Sequence, residues 1–198
     1  MSLCPGGEVI NASSEQGTLV VNGMSYSRRA SEFSNAAIVV TCQTRDYCSA
    51  DPLAGLELQK DIEKKAFRAG GGEWAVPAQN LPDFLSRKVS GRLNRNSSAT
   101  GTAATNMHEI FPAFVSDALV AAFLTWEKTY PAFVSSDAIV LGAETRTAAP
   151  LRILRSEKFE SVNIRNLYPI GEGSGYTGGI TSSAADAIRA VEAVMSSL

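Results

Sequence analysis

The chain has 198 residues, 44% of them hydrophobic, with 18 Lys+Arg against 20 Asp+Glu and a formal charge of -2. Such a chain buries one good core or two small ones, and its balanced charge, with no long run of one sign, argues against a nucleic-acid or anionic-membrane partner. No apolar run approaches the roughly 18 residues that span a bilayer, and the N-terminus lacks the basic-then-apolar layout of a signal peptide, so a cytoplasmic protein is expected.

The first predicted elements, in chain order, are short apolar runs between polar turns at residues 8–10, 18–21 and 36–41. Their length and β-branched content favour antiparallel strands, with a turn at Asn22-Gly23 after the second. Asp51-Pro52 opens a helix carrying Leu53, Leu56, Ile62 and Phe67, and Gly70-Gly71-Gly72 stops it. A second helix fits residues 79–88, and the polar stretch 91–106 reads as a loop or mobile link. Pro112 begins a third helix, whose Phe114, Val115, Ala118, Leu119, Ala122 and Phe123 recur at the helical period as far as Pro131. Three strands are expected next, at 138–143, 151–154 and 167–170. A glycine-rich turn and a final helix follow, making the fold class α+β: an antiparallel β portion, a helical middle and a returning C-terminal unit.

Three cysteines, Cys4, Cys42 and Cys48, are an odd number in a chain large enough to fold without staples, so a disulfide framework is not expected. They also lack partners at zinc spacing, and one histidine, His108, cannot build a His-based metal site, so no metal is expected either. Cys4 has no neighbouring base and reads as a small hydrophobe; His108 reads as a capping or surface residue; Trp74 and Trp126 read as packing residues. Arg28-Arg29 is a paired cation that can meet an anionic substrate, or simply water. No residue is assignable as catalytic.

The stretch with most chemistry is "GEGSGYTGGI", residues 171–180. A strand, a glycine turn and a helix N-terminus make an anion site, because unpaired backbone N–H groups converge there and the helix dipole adds positive potential. Residues 173–178 satisfy G-x-G-x-x-G, but a dinucleotide site also needs a second parallel strand ending in an acidic residue about 20 positions on, and none follows. A Walker loop fails for want of Lys-Ser or Lys-Thr. The bland alternative is a turn that lets a helix pack closely on a sheet. Against it, Glu172 offers a carboxylate to ligand hydroxyls, and the following helix has an apolar face of Ile180, Ala184, Ala187, Ile188, Val191 and Met195. A buried helix aiming its N-terminus beside a polar acceptor suits a cofactor with sugar-like hydroxyls and an anion-accepting ring.

"NLYPIGEGSGYTGGITSSAADAIRAVEAV" resembles the C-terminal flavin-contacting segment of a bacterial family of FAD-dependent dehydrogenases, two-part flavoproteins that are mostly uncharacterised. "CPGGEVINASSEQGTLVVNGMSYSRR", "DPLAGLELQKDIEKKAFRAGGG" and "LGAETRTAAPLRI" look like further landmarks in the same order. The resemblance implies that Gly171, Glu172, Gly173, Ser174, Gly175, Tyr176, Gly178 and Gly179 line FAD, with Glu172 facing the ribityl hydroxyls. It also implies that the helix start at Gly179-Ile180 points toward the flavin's N1 and C2 carbonyl, with Thr145 and Arg146 beside the flavin; exposed strand-end residues are the plainer reading of that pair.

In that family an N-terminal strand-turn-helix unit binds the ADP half of FAD, and this sequence contains no such unit. Met1-Ser2-Leu3 reads as a vector-derived start. The chain is therefore expected to be the C-terminal part of a longer flavoprotein, or a natural truncation. Residues 4–136 would form a substrate-side domain, and residues 137–198 would complete the FAD-binding domain. FAD belongs to the longer parent and should be absent or weak here. The expected partners are the N-terminal dinucleotide-binding half of the same protein, an unknown small-molecule substrate, and another copy of the chain through the exposed C-terminal segment. From a different class, a non-enzymatic ligand-binding or protein-interaction module derived from the flavoprotein fold fits the same residues.

Overall fold

A computed structural model describes residues 2–47 and 49–196. The chain folds as two compact units, one of Met1–Cys42 with Gln59–Thr145 and one of Gln43–Leu58 with Arg146–Leu198. The architecture is α+β, as the alternation of short apolar runs and helical periods implies.

In the first unit, β1 (Ser2–Cys4) pairs antiparallel with β4 (Asn35–Ala37), and β2 (Gly7–Asn11) pairs antiparallel with β3 (Val21–Ser25). Ser2 and Leu3, expected to be a vector-derived start, thus oppose Ala37 and Ala36. Only the first residues of the predicted 36–41 strand are in a ladder. The turn expected at Asn22-Gly23 is absent, because both residues lie inside β3, Gly23 opposite Val9. Glycine is needed there for space: a Cβ on Gly23 would stand 2.2 Å from Asn35 Oδ1. Residues 18–20, predicted as the strand itself, are in no ladder; Leu19 N donates to Glu63 O (3.1 Å) and Val20 N to Ser13 Oγ (2.9 Å), burying Leu19 and Val20.

α1 (Ala54–Ala69) starts and stops where its punctuation directs. Asp51 Oδ1 accepts from Leu53 N at 2.8 Å, and at the far end Gly72 N donates to Phe67 O at 3.0 Å, with Gly71 and Gly72 both at positive φ. It buries Ile62, Glu63 and Ala66. β5 (Val76–Asn80) is the centre of a three-stranded sheet, flanked by β6 (Thr102–Ala104) in parallel and β7 (Ile139–Leu141) antiparallel. Gln79 and Asn80, expected to open a helix, belong to this strand, and α2 is only Leu81–Leu85. The amphipathic signal of 79–88 comes from residues buried for two different reasons, Gln79 as sheet centre and Leu81 and Phe84 as helix face.

α3 (Ala113–Thr129) turns Val115, Leu119 and Phe123 inward at a spacing of four. Phe84 meets Phe123 edge-on at 6.2 Å and stacks on His108 at 4.3 Å, so this cluster, with Met107 and Ile110, is the core. Each such side chain contributes about 1.5–3 kcal/mol on burial. The stretch predicted as a mobile link is tied down by side chains: Asn80 Nδ2 donates to Arg92 O and Asn94 Nδ2 to Ser136 O, each at 2.8 Å.

The second unit contains a 3-10 turn at Thr44–Tyr47, the first turn of α1, and α4 (Ile180–Met195). The strands expected at 151–154 and 167–170 are not formed; a single bridge between Arg155 and Ser161 is the only ladder contact among the described residues there. Of its described aliphatic side chains, Ala54, Pro169 and Ala190 are the buried ones. No described helix is long and apolar enough to cross a membrane.

Candidate functional site

The glycine loop lies wholly in the second unit and closes on itself. Gly175 N donates to Glu172 O (2.8 Å), Tyr176 N to Gly171 O (3.3 Å), and Ser174 Oγ to Gly171 O (3.0 Å). Gly171 and Gly175 take φ of +74° and +82°, the left-handed region that side chains resist. Gly173 and Gly178 do not, and among the described residues no atom beyond their own chain neighbours lies within 4 Å of where a Cβ on either would be. Among the described residues nothing in the packing requires glycine at these two positions, which leaves bare backbone facing open space.

Beside that backbone is a helix start without a side-chain cap. Gly179 is extended at φ -174°, and the first helical bond is Ser183 N to Gly179 O at 2.9 Å, so the amides of the first turn of α4 are left for solvent or a ligand. Thr177 Oγ1 and Ser183 Oγ lie 2.7 Å apart and are occupied with each other. The half-buried Glu172 carboxylate engages no described residue. The loop thus presents bare amides and one free carboxylate.

A buried ion pair underlies the loop. Arg155 Nη1 and Nη2 donate to Asp186 Oδ2 and Oδ1 at 2.8 and 2.7 Å, with both side chains about nine-tenths buried. Asp186 Oδ2 also accepts from Gly171 N (2.9 Å), and Arg155 Nη1 donates to Pro169 O (2.8 Å). The Arg155 guanidinium stands 3.7 Å from the Tyr176 ring centroid and 4.3 Å from that of Phe159. The hydrogen bond from Arg155 holds the Asp186 carboxyl down to about 2, with the Gly171 amide and the nearby arginine charges adding to it against the opposing effect of burial. The same bond raises Arg155. Sequence reasoning misses both residues: a lone Asp in a helix and an Arg 31 positions earlier carry no shared local signal.

The remaining candidates are described each within its own unit. Thr145 belongs to the first unit, where its hydroxyl donates to the buried Glu63 Oε1 (2.7 Å) and its carbonyl accepts from Gln59 Nε2 (2.8 Å). Its side chain is therefore already engaged. Arg146 opens the second segment of the other unit and is exposed. Burial raises the neighbouring Glu144 carboxyl. The partly exposed His108 lays its ring on Phe84, and Nε2 meets Phe84 O at 2.8 Å, so Nε2 carries the proton, because a carbonyl only accepts. Cys4 is a free thiol, while Cys48 lies outside the described residues. The expected buried helix is corrected as well, since Ile180 is 93% exposed and Ile188, Val191 and Met195 are exposed with it; α4 buries Asp186 and Ala190 instead. No strand of its own unit, among the described residues, is present to cover that stripe.

A family model described as FAD-dependent protein, C-terminal domain-like, matches residues 1–147. The chain belongs to this FAD-dependent family. The match takes in the N-terminal landmarks and the 141–147 segment and ends before the glycine loop. The chain is also 40% identical over 195 residues to a protein of Clostridium beijerinckii that is named an uncharacterized protein. That similarity covers 98% of this chain but 37% of the relative, so the chain spans little more than a third of the protein it resembles. For a member of an FAD-dependent family, the loop's chemistry fits the group: bare amides at Gly173 and Gly178, an uncapped helix start, and the Glu172 acceptor.

Proposed function

We propose that this chain is the part of an FAD-dependent oxidoreductase that supplies the substrate-side region and the loop meeting the ribityl and flavin end of the cofactor. FAD would bring the hydride or electron-pair chemistry, exchanged with a small organic substrate. The observation that carries the reading is the pairing of Gly173 and Gly178, whose missing side chains the chain itself does not exploit, with the unengaged Glu172. The backbone of residues 171–180 would hold the cofactor, and Glu172 would accept from its hydroxyls. Thr145 would contribute through its main chain, and Arg146 through its exposed charge.

The proposed partner is the dinucleotide-binding half of the same protein. Two observations support it: the relative is much longer than the matched segment, and the second unit exposes Leu154, Ile164, Ile180, Ile188, Val191 and Met195 while burying little that is apolar. A contiguous apolar surface of more than a few hundred Å² marks an interaction site. A cytoplasmic location goes with this reading.

The test is visible absorbance and sedimentation of the chain alone, and mixed with FAD and the separately produced remainder of the longer relative. The isolated chain should be colourless or hold substoichiometric flavin, and the mixture should give a flavin-containing complex. One tightly held FAD per isolated chain would defeat the split-site reading. A monomer that ignores the added half would favour the binding-module alternative.

A further inference from the structure

We propose that Arg155 and Asp186 are positioning residues that hold the glycine loop in its ligand-receiving shape before any ligand arrives, a role that rests on the reading of 171–180 as the cofactor-facing loop. The loop has no helix or sheet of its own to keep it in shape. Its ends are instead fastened to one buried pair: Pro169 O to Arg155 Nη1 and Gly171 N to Asp186 Oδ2 on the entering side. On the leaving side, the Tyr176 ring lies against the Arg155 guanidinium, and its hydroxyl accepts from Arg155 N at 3.2 Å.

A buried ion pair is a poor choice for stability alone, since well-packed apolar residues in its place are as stabilising or more so. An apolar pair, however, could neither accept from Gly171 N nor donate to Pro169 O. The planar, five-donor guanidinium can span a carboxylate, a carbonyl and an aromatic face at once, which a lysine cannot. Fixing the loop in advance lowers the ordering cost that a ligand must otherwise meet. Asp186 acts from the second turn of α4, so the same residue also registers the helix start against the loop.

The test is amide hydrogen exchange on the complete 198-residue chain. Asp186→Asn should speed exchange at Gly171 and Tyr176 about 10- to 100-fold, the range for losing a charge-assisted hydrogen bond, while Ala190 in the middle of α4 keeps its protection. Arg155→Lys, which keeps the charge, should loosen the same amides with the helix intact, and serves if the first variant fails to fold. The exchanged pair Arg155→Asp with Asp186→Arg restores opposite charges but offers Gly171 N no acceptor, so the loop should stay loose. Uniform acceleration along α4, or rescue by the exchanged pair, would show a merely stabilising salt bridge and overturn the proposal, as would full protection of Gly171 in Asp186→Asn. Flavin affinity of the Asp186→Asn chain in the reconstituted complex separates the two readings. A loosened loop with unchanged affinity supports the positioning role and sinks the cofactor role of the loop.

Discussion

Gly175 passes so close to Leu151 that a Cβ on the glycine would lie 2.1 Å from the Leu151 carbonyl oxygen. Its φ of +82° adds a second reason for glycine. Gly175→Ala should therefore destabilise the loop by at least about 2 kcal/mol, the scale for forcing a side chain into left-handed backbone, before the clash is counted. Gly178→Ala has room and should change stability by less than about 0.5 kcal/mol. In the flavin complex the order should reverse in meaning: Gly178→Ala folds normally yet loses flavin, as read by denaturation and by absorbance after washing. Normal flavin retention in that variant would remove Gly178 from the cofactor set.

Glu172→Ala should weaken FAD retention in the reconstituted complex by about 1–3 kcal/mol, the cost of leaving a ligand hydroxyl unpaired in a closed site. The stability of the isolated chain should not change, because Glu172 engages no described residue. Unchanged flavin occupancy on dilution would place Glu172 away from the ribityl chain.

Asp186 gives the second unit a defined acid sensitivity. Its carboxyl is held down to about 2, whereas an unfolded Asp titrates near 3.9. With the folded pKa depressed, the unfolded state takes up the proton first, so the pair's contribution is complete above about pH 5 and is lost as pH falls from about 4 through 2. Protection of the Gly171 amide should be flat above that window and collapse within it. An NMR titration placing the Asp186 midpoint at the ordinary carboxylate value would refute the pairing.

Phe84 is fully buried, stacked on His108 and edge-on to Phe123. Phe84→Ala should cost the first unit about 3–5 kcal/mol in urea denaturation, through lost burial and the cavity left behind. A loss under about 1 kcal/mol would mean that the α2–α3 contact is not the core of that unit.

The stripe on α4 should behave as a surface awaiting a partner. Ile188→Ser with Val191→Ser, both exposed at 61%, should leave the chain's own stability within about 1 kcal/mol. The same pair should suppress self-association in sedimentation and weaken capture of the dinucleotide-binding half. Unaltered association would move the contact elsewhere.

Helices α1, α3 and α4 are legible in the sequence because their signals are local: a 3.6-residue period, Asp51-Pro52 before α1, and Gly70-Gly71-Gly72 after it. The glycine loop and the family resemblance are legible for the same reason, since residue types at fixed spacing survive without knowledge of distant neighbours. Gly23, Gln79 and the 151–154 and 167–170 runs mislead, because a short apolar run does not say which segment will pair with it. Gly23 reads as a turn until Val9 is placed across from it, and Gln79 as a helix residue until β7 supplies a ladder partner. Arg155 and Asp186 lie beyond any local reading, as does the bare face of α4. Periodicity predicts which side of a helix is apolar, whereas only the packed chain decides whether anything covers it. Here the tertiary structure turns Asp186 inward to meet Arg155 and Gly171, and leaves Ile188 and Val191 in solvent, because both outcomes depend on contacts between segments that the chain brings together only after its local elements have formed.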